Sequence, residues 1–111
     1  MLISELASAL GLETAQDSFK DREISSGYAS DLLSDVMANA VADGVLVTVQ
    51  AHKNAVAVAS LVGLGAIVVC NSRPLPEDMI EAARSEGVAI FRSAENAFEV
   101  CGKLWAALRR P

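Results

Sequence analysis

The chain has 111 residues, with 14 Asp and Glu against 9 Lys and Arg and a formal net charge of −5. That length suits one domain spanning residues 1–111, and with 52% hydrophobic but only 5% aromatic residues its core has to be built from small aliphatic side chains. The acidic balance argues against nucleic acid, because neutralising phosphates takes clustered Lys and Arg, and the one basic cluster, Arg109-Arg110, reads as a solvated helix end.

The first residues, Met1 to Glu5, carry no basic segment, and no apolar run approaches the roughly 18 residues of a membrane span. Two cysteines without disulfide-type spacing fit a reducing compartment, so the expected location is the cytoplasm. Ser4 reads as the N-cap of a short helix through Leu10, closed by Gly11. Thr14-Ala15 and Glu23-Ile24 read as short strands with Gln16 to Lys20 looping between them.

The segment from Asp21 to Leu33 is the densest in polar signals. Gly27 reads as a turn residue with positive φ, Tyr28 as a cover for the core edge, and Ser30 or Asp31 as a helix cap. The capped helix carries Leu32, Leu33, Val36, Met37 and Ala40 at helical spacing and ends at Asp43-Gly44. Turn and cap do not account for Asp21 and Arg22, which act either as a local brace or as a contact to a partner or ligand. Both readings stay open.

Three similar units follow. Val45–Val49 is a predicted strand, Gln50–Asn54 a polar loop and Ala55–Val62 a helix. Ala66–Cys70 is the next strand, with a loop over Asn71–Leu75 and a helix opened by Pro76, Glu77 and Asp78 and stopped at Gly87. Val88–Phe91 passes through Arg92 and Ser93 into a last helix that places Phe98, Cys101, Leu104, Trp105 and Leu108 on one apolar face. Successive strand–helix–strand units give parallel strands, and nearly continuous apolar strands call for helices on both sheet faces.

Parallel strands send their exit loops to one edge, where open α/β sheets bind ligands. Those loops carry His52, Lys53, Asn54, Asn71, Ser72, Arg73, Arg92 and Ser93. Gathered with helix N-termini, they suggest a site for a small anionic ligand such as a nucleotide or phosphorylated metabolite, with His52, Asn54, Asn71, Arg73, Arg92 and Ser93 as contacts. The bland alternative is that loops are polar because they are wet.

Catalysis lacks its parts. His52 is the sole histidine, so no His-paired metal site forms within one chain, and neither Ser72 nor Cys70 lies in a nucleophile-elbow pattern. Cys70 and Cys101 look like small core hydrophobes, and two cysteines fall short of the four that usually hold an iron–sulfur cluster. No cofactor or metal is expected, and the chain reads as a non-enzyme.

The stretches Asp21–Ala40, Val47–Phe91 and Ser93–Leu104 together resemble the DRTGG domain family, over roughly Ile3 to Leu108. The eponymous pentapeptide is only approximated, by Asp21-Arg22 followed by Ser26-Gly27. That domain is similar to the N-terminal domain of HPr kinase/phosphorylase and shares its fold with Mur ligase N-terminal domains. The resemblance implies a three-layer α/β/α sandwich with a mostly parallel, mixed sheet of about four or five strands. It also implies a regulatory role and self-association as a dimer. Stand-alone relatives lie near iron-only hydrogenase genes, which implies a hydrogenase or electron-transfer partner. Two functions remain: sensing an anionic ligand at the carboxyl edge, or docking a partner through the Asp21 to Asp31 surface, with Arg22, Gly27 and Tyr28 between.

Overall fold

Alternation along the central strands decides the architecture. In β3 (Gly44–Thr48), Val45 and Val47 enter one apolar cluster while Leu46 enters another, as the two-residue period of a strand requires. The same division repeats in β4 (Ala66–Val69), where Ala66 and Val68 oppose Ile67 and Val69, and in β5 (Ala89–Arg92), where Phe91 opposes Ile90. Strands apolar on both faces need cover on both faces.

The computed structural model describes residues 1–110. Its sheet has five strands in the order β1-β5-β4-β3-β2, with β1 spanning Glu13–Gln16 and β2 spanning Ser26–Ala29. The strands from β2 to β5 run parallel, and β1 lies antiparallel to β5. A 3-10 turn (Ile3–Glu5), α1 (Leu6–Leu10) and α5 (Ala97–Leu108) cover one face through Ile3, Leu6, Leu10, Val100 and Leu104. Helices α2 (Leu33–Asn39), α3 (Lys53–Val62) and α4 (Glu77–Glu86) cover the other through Val36, Val56, Ala59, Met79 and Ala83. The fold is the expected three-layer α/β/α sandwich with a mixed sheet. Among the described residues no helix is long and apolar enough to cross a membrane.

Helix boundaries follow local chemistry. Glycines in the left-handed region end α1, α3 and α4 at Gly11, Gly63 and Gly87, relieving the strain a side chain would suffer there. Asn96 caps α5 and joins Glu99 in a reciprocal capping box.

Several expectations are corrected. Ser26–Ala29 is strand β2, not a turn, and Gly27 is absent from the residues with positive φ. A Cβ at 27 would sit 2.7 Å from Leu104 Cδ2, so α5 passes directly over the strand and any side chain there requires Leu104 to shift. Glu23 makes only an isolated bridge to Leu2. Ser4 lies inside the 3-10 turn and bonds Asp21 instead of capping α1. Asp31 does not cap α2, whose N-cap is Leu32, and α2 ends at Asn39, short of Asp43. On α5 the buried positions are Val100, Leu104 and Ala107, whereas Phe98 is 86% and Trp105 63% exposed.

Candidate functional site

The exit turns of β3, β4 and β5 crowd one edge of the sheet, since those strands share a direction. At the β3 exit, Asp31 accepts hydrogen bonds from the Thr48 hydroxyl (3.0 Å) and the Val49 N–H (2.9 Å). Gln50 donates to the Asp31 carbonyl at 2.8 Å. Asp31 therefore ties the end of β2 to the end of β3. His52 is the N-cap of α3, its Nδ1 accepting from the Asn54 N–H at 3.0 Å, so the ring is committed to the helix start.

Asn71 and Ser72 follow β4 with φ of 62° and 49°, and their N–H groups donate to the carbonyls of Glu95 (2.9 Å) and Ser93 (2.8 Å). Ser93 is buried, and its hydroxyl accepts from the Glu95 N–H at 3.0 Å. Arg92 donates through Nε and Nη2 to Glu13 Oε2 at 3.3 and 3.1 Å, and through Nη1 to the Arg73 carbonyl at 3.4 Å. Lys53 lies 4.0 Å from Asp78. Among the described residues Arg73 makes no ion pair and is exposed, so it is the rim cation whose charge is unopposed by a carboxylate. His52, Asn54, Asn71, Arg73, Arg92 and Ser93 thus share one edge, but most of their polar groups serve internal bonds.

Asp21 and Arg22 sit at the opposite edge. Arg22 reaches Asp43 Oδ1 at 3.3 Å and the Gly63 carbonyl at 2.8 Å, clamping the entries to β3 and β4. Asp21 holds the N-terminal turn by accepting from the Ser4 N–H and hydroxyl, and those bonds keep its carboxyl below the usual range. Through these bonds both side chains brace local structure. The stretch from Asp21 to Asp31 is accordingly divided by β2 between two ends of the sheet and does not form one surface.

Tyr28 faces α2 and donates to both oxygens of Asp35, at 2.8 and 2.9 Å. The hydrogen bond raises the phenol above its usual value, with burial and the carboxylate charge adding. Ser30, then Tyr28 and Asn39, hold Asp35 below the ordinary carboxylate range. On the other face of β2 lies a cavity of about 230 Å³ between strand and α5, lined by Gly27, Ala29, Leu104, Trp105, Leu108 and Arg109 among others. The Arg109 guanidinium lies 3.1 Å from the centroid of the Trp105 ring, a cation–π contact. Two further hollows lie between the N-terminal turn and the end of α5, and between α3 and α4. None of His52, Asn71, Arg73, Arg92 and Ser93 lines any of the three, while Asn54 lines the last.

The thiols are chemically quiet. Burial pushes Cys70 up to about 11, and burial also raises Cys101, which disfavours the thiolate form of both. Among the described residues no group of three or more His, Cys, Asp and Glu side chains is placed to hold a metal ion.

No family model matches the chain, and no curated protein matches it. Among solved structures it is similar to the CBS and DRTGG domains of the regulatory region of Clostridium perfringens pyrophosphatase, in complex with the activator diadenosine tetraphosphate. The TM-score is 0.72 at 8% identity, over 92% of this chain and 45% of that chain. The fold is thus like that of part of this regulatory region. At such identity the likeness concerns fold alone, and this chain spans less than half of the one it matches.

Sequence reasoning missed the groove. By composition Trp105 reads as a core residue and Arg109 as a wet helix end. The signal was present in the spacing: Phe98, Trp105 and Arg109 follow one another at seven and four residues, which places them on one helical stripe.

Proposed function

We propose that this chain is a non-catalytic regulatory domain that senses a small anionic ligand, a nucleotide or phosphorylated metabolite, at the carboxyl edge of its sheet. The observation that carries the reading is the fold shared over 92% of the chain with a regulatory region crystallised with a nucleotide activator. Arg73 supports it locally as an exposed cation free of any carboxylate among the described residues, at the rim where β4 and β5 open. In this reading Arg73 contacts the ligand's charge, Asn54 and Asn71 flank it, and Arg92 and Ser93 hold the rim in shape. The sole histidine caps a helix and both thiols are held protonated, which supports a role without bond-making chemistry.

The test is a thermal-shift and calorimetric series with AMP, ADP, ATP, diadenosine tetraphosphate and inorganic phosphate. At least one nucleotide should raise the melting temperature, since a ligand that binds only the folded state stabilises it by mass action, and Arg73→Ala should remove the shift. A shift of equal size in Arg73→Ala refutes the rim as the site.

A second reading is favoured by the exposed aromatic stripe of α5: an interaction module that self-associates or docks a partner, such as a hydrogenase or electron-transfer protein. Phe98 and Trp105 at 86% and 63% exposure are costly to leave in water.

A further inference from the structure

We propose that two copies of this chain associate through the outer edges of their β2 strands, antiparallel about a twofold axis at Tyr28, joining two five-stranded sheets into one. The proposal rests on the second reading above and supplies its geometry.

The two sheet edges are unlike. At β1 the ladder is irregular between Thr14 and Gln16, and Glu13 and Arg92 place charge on that edge. Bulges and charges are what keep an edge strand from pairing with other chains. At β2, Ser26–Ala29 bonds β3 on one side and no other strand among the described residues on the other. From Ile24 to Ser30 the sequence is Ile-Ser-Ser-Gly-Tyr-Ala-Ser, with no charge and no proline. The helices beside β2 pack on its two faces, α2 through Tyr28 and α5 through Leu104, and so leave the edge itself open.

Apolar surface continues from this edge. Ala29 is exposed and carries only a methyl group, so the groove beside Trp105 is open to a second molecule there, while Leu104 of α5 fills the space over Gly27.

Charge then selects the occupant and its direction. Arg109 lines the groove with Ser25 and Ser26, at the start of β2, whereas Asp31 lies just beyond its end, an exposed residue whose Oδ1 is held by Thr48 and Val49 and whose Oδ2 carries no hydrogen bond among the described residues. Ser25 to Asp31 spans about 20 Å of extended chain. With Tyr28 on the axis, an antiparallel pair sets Ser25 opposite Asp31 of the other copy. Each Arg109 then lies beside an Asp31, twice over by symmetry. Gly27 falls opposite Ala29 of the other copy, keeping bulk away from the seam. A parallel pairing would set like charge beside like charge. A second copy of the chain therefore fits this edge better than an unrelated strand.

The experiment is sedimentation equilibrium of the full chain up to about 100 µM, a range that reads micromolar dissociation constants. Wild type should be a dimer. Ala29→Lys, which adds charge to the exposed edge, should be monomeric, and Arg109→Glu should weaken association at least tenfold, both with unchanged far-ultraviolet circular dichroism. Arg109 sits at an exposed helix end, so its variant carries the test even where Ala29→Lys fails to fold. A wild-type monomer throughout the range overturns the proposal and self-association with it. A dimer that survives both changes but is lost in Phe98→Glu overturns the β2 edge while leaving self-association standing.

Discussion

Tyr28 is the chain's one tyrosine, so its ionisation can be read without interference. Donation to Asp35 favours the neutral phenol, raising it above the ordinary 10.0. Absorbance titration should show tyrosinate forming at higher pH than in the unfolded chain, and Asp35→Asn should bring the midpoint back toward the unfolded value. A raised value in the folded state means the stabilisation is complete below pH 10.0 and is lost as pH climbs through the folded value. Asp21 and Asp35 work in the opposite sense. Their folded values lie below 3.8, so their stabilisation is present above that pH and is lost as acid protonates the folded carboxyls. A midpoint unchanged by Asp35→Asn would mean that the contact does not persist in solution.

At the scale of elements, two glycines should respond with opposite sign to the same change. Gly87 ends α4 at φ +70°, so Gly87→Ala should destabilise by about 1 kcal/mol. Gly102 lies within α5 with open space where a Cβ would go, so Gly102→Ala should stabilise by roughly 0.5–1 kcal/mol. Urea denaturation at neutral pH measures both, and equal signs would contradict the backbone conformations described above. The elements also show what the sequence could express. β3, β4 and β5 were legible because both their faces are buried, which writes them as apolar runs between Gly and Pro stops. β2 was not, because an edge strand half open to water reads Ser-Gly-Tyr-Ala, the composition of a turn. The apolar face of α5 was drawn too wide, since Phe98 and Trp105 look like core residues by composition and only the packing reveals that they face outward. That the rim residues share one edge follows from strand direction alone. Their consumption in internal bonds depends on loop geometry that no residue pattern encodes.

Across the whole molecule, the sheet separates two apolar clusters. Leu10 belongs to the face covered by α1 and α5, and Ile67 to the face covered by α2, α3 and α4. Leu10→Ala should cost about 2–5 kcal/mol and Ile67→Val about 0.5–1.5 kcal/mol. Because the sheet lies between them, the double variant should equal the sum within about 0.5 kcal/mol. A larger discrepancy in chemical denaturation would mean that the two faces relax as one body.

The antiparallel edge has a bearing on how the protein is made. Glu13 and Arg92, joined across β1 and β5, are 79 residues apart. During translation the parallel ladder of β2 to β4 can assemble while β1 still hangs unpaired, since its only neighbour has not yet left the ribosome. Of these five strands the one made earliest is thus among the last to dock, because its partner strand ends at residue 92.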